Sequence, residues 1–428
     1  MIKDFYEGKP IVKSVKASVQ VPGSKSVTNR ALLLAALADG DSRLDGALVS
    51  DDAQHFLECL KDLGFEIRTE NEQRTVSIRG LGGTIPQKSG RIYVGSAGTA
   101  ARFLTAMLGF SEGEYVIDAS SQMKKRPMKP LFDALRRMGA GITCLEEADC
   151  LPVRIGGNNG RVREQELELD ISESTQFLSA LLMTAPMLKG ALRIRITSQK
   201  TDGAYVRITR RMMEAFGVIA SKRDDVYLIP AGASYQSREY EIEPDVSGAC
   251  YFYAAAALCG GEVTVARVHP ELSQGDLKFL DVLCEMGCTM ADTPEGICLK
   301  GPGQLKGIRI NMNDFSDQAL TLAAIAPFAD GPVEISGIAH IRGQECDRIH
   351  AIVSNLERAG IRCEEREDGV TIYPGMPKAC EIETFSDHRV AMSFALMGLL
   401  TEGIKILDPG CCAKTFPAFF RVLDAFRG

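Results

Sequence analysis

The feature that most restricts how this chain can fold is an internal repeat. Six segments share one grammar: an alternating strand pattern, a short polar turn, then an apolar run rich in small residues. They read SVQVPGSKSVTNRALLLAAL, RIYVGSAGTAARFLTAML, LELDISESTQFLSALLM, YEIEPDVSGACYFYAAAAL, IRINMNDFSDQALTLAAIA and CEIETFSDHRVAMSFALMGL. The turn residues that align are Ser26, Ser96, Ser174, Ser247, Asp317 and Asp387, spaced by 70, 78, 73, 70 and 70 positions. A second helical pattern follows and runs into a glycine, as at Gly64, Gly139, Gly217, Gly287 and Gly360. Glycine just past a helix is the usual left-handed terminator. Two independent markers sharing one period define a repeat architecture.

Each unit reads as strand, helix, strand, helix, strand, which is an α/β pattern. The first helix of each unit is apolar nearly all round, so it is expected inside its domain. The second is amphipathic and is expected at a surface. Six units divide as three plus three. The chain is expected to cross between halves near residues 20–22 and 243–245, where Pro22 and Pro244 interrupt strand exits. The pattern leaves open how the N-terminal strand is shared between them.

A length of 428 residues fits two or three domains. The net charge of −7 argues against nucleic acid or a membrane surface as partner. The 13 cysteines include no C-x-x-C pair, which fits free thiols in a reducing, cytoplasmic setting. The N-terminal ten residues are polar and charged, so no secretory leader is expected. No apolar run approaches the roughly 20 residues of a membrane span.

Helix starts carry free N–H groups and a partial positive charge, and they favour anions. All six starts hold Ser, Thr, Gly or Asp, which on its own reads as N-capping, about 1 kcal/mol each. Their neighbours are basic: Lys25 and Arg30, Arg102, and Arg389. A cation there opposes the helix dipole unless it serves a ligand. Turn-rich loops add Lys124, Lys125 and Arg126, then Arg342 and Arg348 beside Glu345 and Asp347, then Lys414. Arginine suits bidentate grips on carboxylate and phosphate. An acidic chain that concentrates cations in its repeat turns implies a cleft for a multiply anionic ligand. GSKS lacks the first glycine of a P-loop, and GSAGTA lacks the dinucleotide-binding pattern. The five histidines show no metal-ligand spacing.

The segments PGSKSVTNRALLLAA, GSAGTAARFL, STQFLSALLM, ECDR, SDHRVAMSFAL and DPGCCAKTFP together resemble the 5-enolpyruvylshikimate-3-phosphate (EPSP) synthase family, the 3-phosphoshikimate 1-carboxyvinyltransferases, over nearly the whole chain. The resemblance implies an α/β fold of two similar domains, each of three βαβαββ units with buried parallel helices, the enolpyruvyl transferase-like inside-out barrel. The domains implied are 21–242, on the shikimate 3-phosphate side, and 1–20 with 243–428, on the phosphoenolpyruvate side, with the active site in the cleft between them. The implied reaction, in aromatic amino acid biosynthesis, transfers the enolpyruvyl group of phosphoenolpyruvate to the 5-hydroxyl of shikimate 3-phosphate through a tetrahedral ketal. It needs no cofactor and no metal. A cytoplasmic monomer is expected.

Residue by residue, the resemblance implies that Lys25, Ser26 and Arg30 hold the ring's carboxylate and hydroxyl, with Lys25 also reaching phosphoenolpyruvate. Ser174, Thr175 and Ser198 would bind the 3-phosphate, Gln176 would lie between the two ligands, and Tyr205 would flank the ring. Gly98, Arg126, Arg348, Arg389 and Lys414 would surround phosphoenolpyruvate. Asp317 would take the hydroxyl proton, and Glu345 and Lys25 are the candidates for moving the C3 proton. Departures from the family pattern are Gln344 for the usual lysine at a position that contacts the shikimate hydroxyl, Ser96 and His340 for asparagines, and Phe103 after Arg102. Since the other cations remain, catalysis is expected to survive the loss of that lysine. Three rival readings are a paralogous carboxyvinyl transferase on a related hydroxy acid, a UDP-N-acetylglucosamine enolpyruvyl transferase, and a non-catalytic binder of phosphorylated metabolites. The second lacks support, because the loop at 118–126 carries no cysteine. Retention of both Asp317 and Glu345 weighs against the third.

Overall fold

The computed structural model describes residues 5–11, 15–72, 74–164 and 166–426. It separates into two compact units, Gly23–Ile242 and Met1–Pro22 with Glu243–Gly428. Each has its own apolar core.

The sheets show why the chain repeats. In the third repeat Glu166–Leu169 runs parallel to Leu192–Ile196. The latter pairs antiparallel with Val226–Ile229, and Ser221–Arg223 closes the hairpin. The same four-strand order recurs with Ser89–Tyr93, Glu114–Asp118, Val153–Gly156 and Gly141–Cys144. It recurs again with Arg309–Asn311, Val333–Ser336, Gly369–Ile372 and Cys363–Arg366. Between the strands lie the buried helix and the amphipathic helix, which gives the βαβαββ unit.

The sharing of strands, left open by the sequence, is an exchange. Lys16–Val19 precedes the helix Lys25–Leu37, yet it pairs parallel with Glu262–Val265, in the sheet of the fourth repeat. Glu239–Glu241 precedes the helix Val246–Cys259, yet it pairs parallel with Asp39–Asp45, in the sheet of the first. The sixth repeat departs from the pattern. Cys380–Ile382 and Ile404–Leu407 run parallel as usual, but the strand Phe5–Glu7 stands antiparallel where the hairpin would be, so this sheet has three strands.

The six apolar helices are interior, as their composition requires. Every residue of Gly98–Phe110, Ala319–Ile325 and His388–Phe394 is buried. Lys25–Leu37, Gln176–Thr184 and Val246–Cys259 expose only their end residues. Alanine and glycine let such helices pack closely, and each fully buried leucine or phenylalanine contributes about 1.5–3 kcal/mol. The five terminator glycines have φ of 91°, 88°, 94°, 109° and 74° for Gly64, Gly139, Gly217, Gly287 and Gly360. That is the left-handed geometry their position predicts.

The N-cap expectation is corrected for most of the turn residues. Only the buried helix His388–Phe394 has a side-chain cap, Asp387 accepting from the backbone N–H of Arg389 at 2.8 Å. Ser174 accepts from the N–H of Gln176 at 3.2 Å. Ser96 instead pairs with the Ser120 hydroxyl at 2.9 Å, Ser247 donates to Asp276, and Asp317 holds two arginines. Burial fixes these helices without a cap worth about 1 kcal/mol, which leaves the turn side chains for other work.

Candidate active site

In Gly23–Ile242 the site residues gather around buried cations. Arg30 is 1% exposed. Its guanidinium donates to Thr209 Oγ1 at 2.8 Å, the Ser26 carbonyl at 2.9 Å, the Tyr205 carbonyl at 3.2 Å and Ser179 Oγ at 3.5 Å. It also lies against the rings of Phe103 and Tyr205. Every one of these acceptors is neutral, and burial pulls the guanidinium down to about 10. Arg30 therefore brings Ser26 and Tyr205 together, with a positive charge that these partners do not neutralise. Such a group favours an anionic ligand.

A second pair of cations flanks Gly98. A Cβ placed there would come within 2.6 Å of Arg102 Nη1 and 2.7 Å of Arg126 Nη1. Only a residue without a side chain lets both guanidiniums converge. Arg102 is 3% exposed and lies over Phe177. Arg126 Nε and Gln176 Oε1 are buried without a hydrogen-bond partner. In the sequence Arg102 stands out only as a basic neighbour of a helix start, with no role implied for it; its convergence with Arg126 adds it to the set.

Ser174 and Thr175 stand at the start of Gln176–Thr184. Ser198 lies on the loop after Leu192–Ile196, where its Oγ donates to the Lys200 carbonyl at 3.0 Å and accepts from the Ile171 N–H at 3.3 Å. A Cβ on Gly203 would meet Thr175 Cγ2 at 3.2 Å and Lys200 Cε at 3.6 Å. Lys200 thus joins the Ser174–Thr175 turn, a neighbour on the loop between Leu192–Ile196 and the helix Ala204–Ala215 that no local pattern singles out. Lys25, next to Ser26, pairs with the buried Asp52 at 3.5 Å.

The other unit carries a dense ion cluster. Arg348, 1% exposed, heads the helix Arg348–Arg358. It reaches Asp387 Oδ2 at 2.8 Å, Asp317 Oδ1 at 2.9 Å and Glu345 Oε2 at 3.0 Å. Burial works against this charge, but the carboxylates of Asp387, Glu345 and Asp317 hold the guanidinium above its ordinary range. Arg389 reaches Asp317 Oδ2 at 3.0 Å, and Lys414 reaches Glu345 Oε1 at 3.1 Å. Asp317, Glu345, Arg348, Arg389 and Lys414 therefore converge. Asp387 completes them, and it is legible in the sequence only as a repeat turn residue.

Two details sharpen the expectations drawn from the sequence. The cations expected to await an anion are balanced here by three carboxylates, so a ligand would have to take them over. Gln344, which stands where a lysine is usual, gives its side-chain oxygen to Arg348. A lysine there would lose that acceptor and bring a like charge towards Arg348, so its tolerance depends on the three nearby carboxylates. Next to Asp317, Ser316 Oγ shares a 2.8 Å hydrogen bond with His340 Nε2.

The unit topology defines an α/β repeat protein that carries a set of clustered cations in each unit. Residues 10–423 match the model of the family described as EPSP synthase (3-phosphoshikimate 1-carboxyvinyltransferase), and the chain belongs to that family. It is 44% identical over 417 residues to the 3-phosphoshikimate 1-carboxyvinyltransferase of Nostoc sp., covering 96% of this chain and 98% of that one. It is 39% identical to the chloroplastic 3-phosphoshikimate 1-carboxyvinyltransferase of Arabidopsis thaliana, covering 96% and 83%. Among solved structures it is similar to EPSP synthase of Acinetobacter baumannii, with a TM-score of 0.81, 28% identity, and coverage of 98% and 97%. The enolpyruvyl transferase NikO of Streptomyces tendae, 15% identical, shares the fold with a TM-score of 0.74.

Proposed function

We propose that the residues assembled above carry out, in this chain, the reaction of its family: transfer of the enolpyruvyl group of phosphoenolpyruvate to the 5-hydroxyl of shikimate 3-phosphate, with release of phosphate. The observation that carries this reading is the ion cluster. Two carboxylates suited to acid–base work, Asp317 and Glu345, are each held by cations suited to grip a phosphate and a carboxylate.

In this reading phosphoenolpyruvate takes over Arg348, Arg389 and Lys414. Asp317, relieved of its arginines, accepts the proton of the 5-hydroxyl as that oxygen bonds to C2. Glu345, or Lys25, delivers a proton to C3, and a tetrahedral ketal results. The same group then removes a proton from C3 while the bond from C2 to the phosphate oxygen breaks, and the proton taken up by Asp317 passes to the departing phosphate or to solvent. The cations stabilise charge on the departing phosphate, most strongly where water is excluded. Lys25, Ser26, Arg30 and Tyr205 hold the ring, and Ser174, Thr175, Ser198 and Lys200 hold the 3-phosphate. Gln176 stands between the ligands, Gly98 with Arg102 and Arg126 grips phosphoenolpyruvate, and Gln344 completes the hydroxyl contacts. The enzyme works as a monomer in the cytoplasm, a placement supported by thirteen cysteines without a disulfide. Among the described residues no helix is long and apolar enough to cross a membrane.

Purified full-length protein supplied with shikimate 3-phosphate and phosphoenolpyruvate is expected to release one phosphate per turnover. UDP-N-acetylglucosamine in place of shikimate 3-phosphate is expected to give none. Absence of phosphate at saturating concentrations of both family substrates overturns the reading. Gly98→Ala is expected to raise the KM for phosphoenolpyruvate about tenfold, because the new methyl displaces two guanidiniums and weakens their charged hydrogen bonds. The melting temperature should hardly move, since the displaced atoms are the ends of flexible side chains. An unchanged KM would remove Gly98 from the site.

A further inference from the structure

Beyond Arg389 lies a buried acid that the reaction as described does not use. Asp276 sits on the turn Gly275–Leu277 before the helix Lys278–Glu285 and is 7% exposed. Its carboxylate accepts from the Ser247 hydroxyl and from the Gln318 side-chain amide at 3.3 Å. The Gln318 oxygen takes a hydrogen bond from Thr321 at 3.0 Å, which fixes the amide with its NH2 towards Asp276. Both donors to Asp276 are neutral. A buried carboxylate held that way is expensive to keep, and burial, with the like charge of Asp317 adding to it, pushes the acid up despite Arg389.

Ser247 is the link. Its oxygen accepts from Arg389 Nη2 at 3.4 Å, and that nitrogen also reaches Asp317 Oδ2 at 3.0 Å. The senses run one way: the guanidinium donates to the serine, and the serine donates to the buried carboxylate. Arg389 is thus held by Asp317 on one side and by a polarised relay on the other. Resting on the reading that phosphoenolpyruvate displaces Asp317 from Arg389, we propose that Ser247 and Asp276 are positioning residues, which keep Arg389 aimed at the incoming anion while its bond to Asp317 is given up.

The test is steady-state kinetics on full-length Ser247→Ala, Asp276→Asn and the double variant. Each single change is expected to raise the KM for phosphoenolpyruvate about tenfold, the weight of one charged hydrogen bond. The KM for shikimate 3-phosphate should stay within about twofold. The double variant should be no worse than either single one, because both cut the same relay. Effects that multiply in the double variant, or that raise both KM values alike, overturn the proposal. A readout without turnover separates it from the reaction itself: side-chain N–H signals of Arg389 in 15N-labelled protein. Slow solvent exchange in the parent chain and fast exchange in Ser247→Ala support the relay even if no phosphate is released. Equal exchange in the two refutes it even if the enzyme is active.

Discussion

Arg348→Met protein is expected to lose roughly 3–5 kcal/mol of folding stability and all measurable phosphate release. Arg348 is buried and faces Asp317, Glu345 and Asp387, the last fully buried as well. Methionine fills much of the volume but leaves three carboxylates at close quarters with one cation fewer than they need. Removing one partner of a buried ion cluster is far more damaging than replacing the whole cluster, because the remaining charges stay desolvated. Arg348→Lys should recover part of the stability and little of the turnover. A single ammonium cannot present the fork that spans three carboxylates. Urea titration followed by circular dichroism reads the first effect, and the phosphate assay reads the second. A Met variant with the parent midpoint would mean that Arg348 does not hold this cluster together.

The second large effect concerns Asp317. Asp317→Ala is expected to lower kcat by about 10²–10⁴, the usual weight of a general base, while the protein stays folded and still binds its substrates. Arg348 keeps Asp387 and Glu345, and Arg389 keeps Ser247, so no cation in the described cluster is stranded. The cluster also gains one unit of net positive charge, so the thermal shift produced by both substrates together should be retained or enlarged. A kcat within about tenfold of the parent would assign the proton to another group. A variant that binds neither substrate would give Asp317 a positioning role instead.

Much of this architecture is legible in the sequence because each repeat declares itself locally. The αL glycines, the apolar helices and the turn residues all sit within a few positions of one another, and local rules of periodicity and capping read them. The exchange of Lys16–Val19 and Glu239–Glu241 is not local. Strands of three or four residues carry too little pattern to name a partner about two hundred positions away or more. The N-terminal strand Phe5–Glu7 completing the sixth sheet is hidden for the same reason.

The site divides along the same line. Lys25, Arg30, Arg348, Arg389 and Lys414 stand out because cations at helix starts and turns conflict with their surroundings. Their counter-charges do not stand out. Asp387 looks like an ordinary cap, Asp52 like the first turn of a surface helix, and Asp276 like a loop residue. Each becomes significant only when burial and a partner from another repeat are seen together. Gln344 shows the limit from the other side. Its type signals a departure from the family, but its hydrogen bond to Arg348 could not be foreseen from a pattern.

The strand exchange also sets a timetable for biosynthesis. Gly23–Ile242 is one uninterrupted stretch, and a Cβ on Gly23 would lie 3.2 Å from Ile242 Cγ2, so its two ends meet. It can assemble as soon as it leaves the ribosome. The other unit cannot. Lys16–Val19 waits for Glu262–Val265, and Phe5–Glu7 waits for Leu407, which emerges about four hundred residues later. The acids and cations of the ion cluster span the last third of the chain and come into register only near the end of synthesis. A nascent chain stalled short of residue 407 would therefore carry a finished Gly23–Ile242 unit, with its buried arginines in place, and an ion cluster still without Lys414.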